Sequence, residues 1–424
     1  MLKDEDRIFQ NLYNDKGSDV ESSRKRGDWT NTKDLIDKGR DWIITEVKAS
    51  ELRGRGGAGF PTGLKWSFAP KELGLRPHYL VINGDESEPG TCKDRDILRY
   101  NPHSIIEGML IASYAICASV AYNYLRGEFM DEQWKVFNQA LSEAYNEQLI
   151  GKNILSSNIT IDIHALIGAG AYIVGEETAM LESIEGKRGM PRIKPPFPAI
   201  KGLYGKPTII NNTETLASIP KIMLNESGWY KSLGVNSAEG MKIFSMSGHI
   251  NDPGNFEIAL GTPFSELLNS AGGIWNGKNI KAVIPGGSSV PVVKGDIMMQ
   301  VNMDYDSISE AGSMLGSGGV IVMDESTCMV SVLQRISRFY YSESCGQCTP
   351  CREGTGWLYK ILTNIVLGKG TQNDLHQLER IATQIEGHCI CALGDAAAMP
   401  VRSFLKNFWS EFEYYVDKKE SMVS

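Results

Sequence analysis

The chain has 424 residues, 42% hydrophobic and 22% charged, an ordinary soluble composition with room for about two to four domains. Its formal charge is −8, from 43 basic and 51 acidic residues, which excludes the basic surface that non-specific nucleic-acid binding needs. Met1–Asp6 shows no apolar leader, so the eight cysteines are expected in a reducing compartment as ligand thiols, not disulfides.

Residues 1 to about 30 are polar and predict an extended or loosely packed segment. Leu35, Ile36, Trp42, Ile43 and Val47 predict an amphipathic helix over 34–52. A glycine-rich loop runs from Gly54 to Gly63. The run from His78 to Asn83 reads as a strand that ends in an acidic loop. The uncharged stretch from Gly108 to Leu125 approaches bilayer-spanning length, but Ser113, Ser119, Asn123 and three tyrosines dilute it. It reads as a buried helix, which leaves only a peripheral role at a membrane. A second helix is predicted near Glu132 to Gln148, and a β-branched strand over Ile159 to Ile163. Strands alternating with helices imply an α/β layer with parallel strands.

Character changes near Gly240. Lys242 to Gly248 alternates as a strand, Asn251-Asp252-Pro253-Gly254 is a turn, and Asn255 to Leu260 returns. Thr262-Pro263-Phe264 opens a short helix through Leu268, and Lys281 to Ile284 is a further strand. Hairpin, helix, strand is the order of a small β-grasp domain. From about Ser331 helical patterns dominate. The expected domains are therefore 1–239 (α/β), 240–330 (small α+β) and 331–424 (helical).

The densest chemical signal lies in the last of these. Cys345, Cys348 and Cys351 are each separated by two residues, and Cys391 stands apart. Three close thiols with no second pair suit three corners of a 4Fe–4S cubane better than a zinc tetrahedron. A zinc knuckle or loose thiols are the plain alternatives. Gly54-Arg55-Gly56-Gly57-Ala58-Gly59 has the G-x-G-x-x-G spacing, but a helix precedes it where a standard Rossmann fingerprint needs a strand. Such a loop still lets phosphates or a ring approach backbone amides, with Lys65 available for phosphate charge and Phe60, Trp66 and Phe68 for stacking. The plain alternative is a surface turn followed by core aromatics. Asp85, Glu86 and Glu88 sit at a strand's C-terminal end, where open α/β sheets bind ligands, although composition alone favours a solvated acidic turn. Glu176 and Glu177, the run from Arg192 to Pro198, and the amides of Asn211 and Asn212 complete the candidates.

These segments together resemble one family. Arg53 to Trp66, Asp85 to Thr91, Gly175 to Ala179, Lys194 to Pro198, Asn211 to Thr215, Glu343 to Gly354 and Ile390 to Ala396 occur in the order of the NADH-binding flavoprotein subunit (51 kDa-type, or F) of respiratory complex I. The resemblance spans roughly Gly54 to Pro400. It implies an α/β Rossmann-like FMN domain, a small α+β β-grasp domain of the soluble-ligand-binding type, and a C-terminal all-α iron–sulfur helical bundle. It implies FMN contacts at Gly54, Gly56, Lys65, Asn83, Asp85, Tyr172, Gly175, Glu176, Asn211 and Asn212. It implies NADH contacts at Gly57, Phe60, Lys65, Phe68, Glu88, Glu177, Lys194 and Phe197, with the phenylalanines as an adenine clamp. The 4Fe–4S ligands would be Cys345, Cys348, Cys351 and Cys391. Cys389 departs from the family pattern and is expected to be a bystander, with Cys92, Cys117 and Cys328 packed in core or strands.

The implied activity is NADH oxidation through FMN and the cluster, ultimately to quinone, with the chemistry carried by the cofactors and no separate catalytic side chain. The implied partners are a thioredoxin-like 2Fe–2S subunit (24 kDa-type, E) and a large iron–sulfur subunit, with no nucleic acid. The implied location is the cytoplasmic face of a bacterial inner membrane, reached only through the assembly, in preference to the mitochondrial matrix side. The nearest alternative is the diaphorase subunit of an NAD-linked hydrogenase or formate dehydrogenase. From another class, a non-catalytic iron–sulfur adaptor would carry no flavin.

Overall fold

A computed structural model describes residues 2–13, 16–70 and 77–423. They fall into two compact units. The first comprises the chain up to Ser87, Cys92–Ile243 and Glu257–Gly261; the second comprises Glu88–Thr91, Phe244–Phe256 and the chain from Thr262 on.

The first unit is built on a four-stranded sheet of β1 (Tyr79–Gly84), β2 (Val120–Leu125), β3 (Asp162–Ile167) and β4 (Thr208–Asn212). Their order is β3-β2-β1-β4, and each neighbouring pair runs parallel. The central strand shows why: Leu80, Val81 and Ile82 are all fully buried, as a strand covered on both faces requires. The order reverses at β1, which has β2 on one side and β4 on the other. Asn83 of β1 stands in register with Asn212 of β4. Such a reversal, at the strands' C-terminal ends, is the place where open α/β sheets take ligands, in a switch-point crevice.

Four expectations are corrected in this unit. The N-terminal segment is not loose, because Ile8, Phe9, Leu12, Val20 and Trp29 join the core. Its backbone is tied down by buried carboxylates: Ile8 N donates to Glu257 at 2.8 Å and Trp29 N to Glu107 at 2.8 Å. The anchors are spaced irregularly, so no periodicity betrays them. The helix expected over 34–52 is two helices, Thr32–Lys38 and Arg40–Ala49, divided at Gly39, whose φ of +87° suits a residue without a Cβ. The stretch from Gly108 to Leu125 is the end of the helix Pro102–Ala115 followed by β2, with the chain reversing through Cys117 at φ +63°. A buried helix and a two-sided buried strand share the same unbroken apolar signature, so periodicity could not separate them. The strand expected over 159–163 lies slightly later, as β3, while Ile161 makes a lone bridge with Gly151.

A mixed five-stranded sheet, most of it in the second unit, comprises β5 (Met241–Gly248), β6 (Gly254–Ala259), β7 (Ile280–Ile284), β8 (Val293–Lys294) and β9 (Gly319–Asp324), in the order β6-β5-β9-β7-β8. β5 and β9 are parallel; β7 is antiparallel to β9 and to β8. The short helix Phe264–Ser270 begins just after Pro263, as expected. Four helices follow: Met329–Glu343, Thr349–Val366, Gln372–Ile385 and Leu393–Lys418. They pack through Leu333, Leu358, Leu362, Leu378 and Phe404, all almost fully buried. Thr371 and Asp374 form a reciprocal capping box at the third helix.

Candidate functional site

The crevice at β1 and β4 gathers the flavin candidates of the first unit. The glycine-rich loop leaves the helix Arg40–Ala49 and is closed by Gly54 N donating to Phe60 O at 2.8 Å. Gly57 has a φ of +131° and open space where a side chain would stand. A Cβ on Gly56 would lie 3.1 Å from Asn212 Cβ, so the loop's backbone rests directly on the end of β4. These two glycines make a bare backbone cradle of the kind a phosphate or planar ring requires.

The amides beneath it are already committed. Asn83 Nδ2 donates to Gly175 O at 2.8 Å, and Asn83 Oδ1 accepts from Asp85 N at 3.1 Å. Asn211 Oδ1 accepts from Trp66 Nε1 at 3.0 Å. Trp66 is fully buried, so this aromatic belongs to the core and not to a stacking surface. Asn212 Oδ1 caps the following helix through Thr215 N at 3.3 Å. Tyr172–Gly175 forms a 3-10 turn, and Gly175 faces Asp85, whose Oδ2 lies 3.4 Å from where a Cβ would stand.

The acidic candidates take different roles. Glu176 is the N-cap of the helix Glu177–Ile184, accepting from Thr178 N at 2.8 Å and Ala179 N at 2.9 Å. Glu177, one residue on, pairs with Lys194 at 3.2 Å and stands 3.8 Å from Lys65. Lys65 also donates to Ile210 O at 2.7 Å. Burial pulls the Lys65 ammonium below its ordinary pKa, against the opposing charge of Glu177. Lys194 lies above its ordinary value: burial opposes the shift, and the charges of Glu176 and Glu177 outweigh it. Glu86 turns away to cap the helix Lys93–Tyr100, accepting from Asp94 N at 2.8 Å and Arg95 N at 3.0 Å. Burial and the neighbouring Asp94 raise its carboxyl to about 7. Glu88 belongs to the second unit, where it accepts from Ser289 N at 2.8 Å.

Phe60 and Phe68 are about half exposed, with ring centroids 6.2 Å apart, and Phe197 is 57% exposed. Large aromatic faces held in water beside a glycine cradle suit a stacked base. The peptide bonds before Pro195 and Pro196 are both cis.

Sequence reasoning missed the charges buried behind this crevice. Lys93 pairs with Asp94 at 2.8 Å and with Glu214 at 2.9 Å, and Lys242 reaches Glu214 at 3.2 Å. Burial opposes ionisation of Glu214, but Lys242, Lys93 and Arg55 outweigh it and hold the carboxyl at about 2. Burial drags Lys242 down to about 7, helped by the neighbouring charges of Lys93 and Arg55 and opposed by Glu214. Arg55 is 2% exposed, its guanidinium donating to Tyr230 Oη at 2.5 Å and Met241 O at 2.7 Å.

In the second unit, Cys348 immediately precedes the helix Thr349–Val366, Cys351 lies in its first turn, and Gly346 turns the loop at φ +77°. Ser344 Oγ lies 3.2 Å from Cys351 Sγ. Cys389 packs beneath Gly394, where a Cβ would come within 2.5 Å of its sulfur, and its thiol points to Ile385 O at 3.6 Å. Burial and the nearby Cys348 push the Cys389 thiol up to about 12. Among the described residues no three His, Cys, Asp or Glu side chains converge at metal-holding distance. The donor chemistry nonetheless fits iron: a run of soft thiolates at cubane spacing, opening a helix whose N-terminal dipole favours negative charge. No helix among the described residues is long and apolar enough to cross a membrane.

A glycine cradle at a sheet's switch point, joined in one chain to a cysteine loop, defines a flavin- and iron–sulfur-type redox protein. Known families agree, segment by segment. Residues 47–221 match the Nuo51 FMN-binding domain, 242–322 the SLBB domain, and 331–415 the NADH-ubiquinone oxidoreductase-F iron-sulfur binding region. The F subunit of NADH-quinone oxidoreductase from Rickettsia bellii (strain OSU 85-389) is 56% identical over 415 residues, covering 97% of this chain and 99% of that protein. The F subunit from Rickettsia conorii (strain ATCC VR-613 / Malish 7) is 55% identical over 425 residues, covering all of both. The chain belongs to the family of NADH-quinone oxidoreductase F subunits. Among solved structures, an NAD+-reducing NiFe-hydrogenase in its H2-reduced state superposes with TM-score 0.79 at 32% identity, over 89% of this chain. The air-oxidised state gives 0.80 at 31% over 92%. The present chain spans 62% and 66% of those longer chains.

Proposed function

We propose that the chain is the NADH-oxidising component of an NADH:quinone oxidoreductase. The observation that carries this is the convergence of the glycine loop, the Asn83–Asp85 turn and the Asn211–Asn212 corner at the switch point of β1 and β4, in a chain that also bears the cysteine loop. The chemistry FMN supplies when bound is conversion of a two-electron hydride donor into single-electron transfers, which a 4Fe–4S cluster relays.

FMN is assigned to Gly54, Gly56, Lys65, Asn83, Asp85, Tyr172, Gly175, Glu176, Asn211 and Asn212, with Asn212 contributing its backbone because its amide is already engaged at both ends. The nucleotide is assigned to Gly57, Phe60, Lys65, Phe68, Glu88, Glu177, Lys194 and Phe197, and the cluster to Cys345, Cys348, Cys351 and Cys391. The parallel sheet is read as a Rossmann-like variant and the mixed sheet as a β-grasp module, within domains at 1–239, 240–330 and 331–424. The partners are a thioredoxin-like 2Fe–2S subunit and a large iron–sulfur subunit at the cytoplasmic face of the inner membrane. A hydrogenase-type diaphorase is the second reading, favoured by the hydrogenase superpositions. Identity of 55–56% end to end with F subunits, against partial coverage of the hydrogenase chains, decides for the first.

The test is a split of activities. With FMN bound, the chain should reduce a small artificial acceptor with NADH and should not reduce quinone alone. Inhibitor-sensitive quinone reduction by the isolated chain would contradict the proposed role as one component of a larger assembly.

A further inference from the structure

Asp94 lies in the first turn of the helix Lys93–Tyr100 and is 3% exposed. Its oxygens meet donors only. Oδ2 accepts from Asn212 Nδ2 at 2.6 Å; Oδ1 accepts from Lys93 Nζ at 2.8 Å and from Glu214 N at 3.2 Å. Charges this deeply buried persist where partners compensate them, and here the Lys93 ammonium does so for Asp94, with Glu214 adding only its backbone N–H. The far end of the Asn212 amide accepts from Thr215 N, so the amide has one permitted orientation. The Gly56 backbone lies against Asn212 Cβ, and Arg55 N donates to Thr215 Oγ1 at 2.8 Å. A continuous line of contacts therefore runs from Asp94 through Asn212 to the glycine loop.

We propose that Asp94 is a positioning residue for the flavin: it locks the Asn212 amide and so fixes the corner on which the Gly54–Gly59 loop rests. This rests on the flavin reading above and acts through Asn212. The requirement is for an acceptor, not merely for a polar group of that size. Asp94→Asn keeps the shape but turns one NH2 group toward a donor. Neither the Lys93 ammonium nor the Glu214 backbone can reverse its polarity, so the Asn212 amide must rotate. Rotation presents its NH2 to Thr215 N and abolishes the cap beneath the loop.

Polarity exchange tests this in the purified assembly, read by the rate of FMN release (flavin fluorescence after dilution) and by the flavin midpoint potential. Asp94→Asn should release FMN at least about tenfold faster, as loss of a charged hydrogen bond implies. Asn212→Asp alone should also weaken retention, since two carboxylates would then face each other. The double variant Asp94→Asn/Asn212→Asp restores one donor facing one acceptor and keeps the cap. It should bring the release rate and the potential back to within roughly threefold and to near wild type, respectively. Asp94→Ala/Asn212→Asp lacks the donor and should not recover. Wild-type release from Asp94→Asn, or a double variant no better than either single, would overturn the proposal. If Asp94→Asn does not assemble, the double variant decides: assembly with FMN supports the proposal, and failure to assemble overturns it. A wild-type assembly without FMN would defeat the flavin reading itself, a separate and visible result.

Discussion

Around the glycine loop, Asn83, Asn211 and Asn212 each hold a protein partner through their side chains, whereas the loop leading to Cys348 is organised around Ser344. The first region is a prepared surface. Its cradle, caps and buried charges exist in the polypeptide, so an organic cofactor meets groups already ordered and little further ordering opposes binding. The second region presents soft ligands on a helix start and a loop, the arrangement in which metal binding itself supplies order. The two halves of one electron path should therefore respond differently to damage: one by losing affinity, the other by losing structure.

The largest effect is expected at the cysteines. Cys391→Ala should lower iron content at least about tenfold and loosen the helices that pack around it, because metal binding and folding are coupled there. Cys389→Ala should keep its iron. Iron analysis with low-temperature EPR distinguishes them, and iron loss that follows Cys389 would reassign the fourth ligand.

Next is the buried charge behind the flavin crevice. Glu214→Gln leaves Lys93 and Lys242 without their shared carboxylate and should cost about 3 kcal/mol, a typical loss for a broken buried pair. The same carboxyl sets a pH dependence. Its folded pKa of about 2 lies below the ordinary 4.5, so its stabilisation is fully present above about pH 4.5. That stabilisation, about 3 kcal/mol, should vanish as pH falls toward 2. Denaturant titrations of wild type and variant across that window should converge at its acid end. Parallel curves would place the acid sensitivity elsewhere.

A smaller, sharper effect concerns the nucleotide. In the proposed nucleotide site, Glu177 beside Lys65 and Lys194 would accept from a ribose hydroxyl and repel the additional phosphate of NADPH. Glu177→Gln should shift the NADH/NADPH ratio of kcat/KM on the order of tenfold toward NADPH, about 1.4 kcal/mol. A ratio that stays put while stability changes would leave Glu177 a helix-terminus carboxylate only.

The smallest effect belongs to the exposed aromatics. Phe197→Ala should raise KM for NADH about fivefold with kcat nearly unchanged, the signature of a stacking contact worth roughly 1 kcal/mol in ground and transition states alike. A fall in kcat at constant KM would move Phe197 out of the adenine clamp.

How much of this was readable in advance follows the same division. The parallel strands, the turn at Asn251–Gly254 and the helices after Ser331 were legible because their patterns are local. The cysteine spacing was legible for the same reason. The N-terminal segment was not, since Ile8 and Trp29 are held in place by Glu257 and Glu107, partners more than seventy residues away. The run from Gly108 to Leu125 hid a strand because burial on every side erases the period that would separate it from a helix. Within the site, the glycines and amides stood out by type. Trp66 misled for the same reason: an aromatic beside a glycine loop suggests stacking until its indole is seen bonded to Asn211 in the core. Asp94, Lys93 and Lys242 could not be read, since their roles arise only when the helix Lys93–Tyr100, the residues at the end of β4 and Lys242 come together.

The most direct measurement of the central claim is the cofactor inventory of the freshly purified native protein. The account predicts about one FMN with about four iron and four sulfide per chain, and a flavin absorption that bleaches on adding NADH. Iron and sulfide at that level without flavin, or a flavin that NADH leaves oxidised, would contradict it.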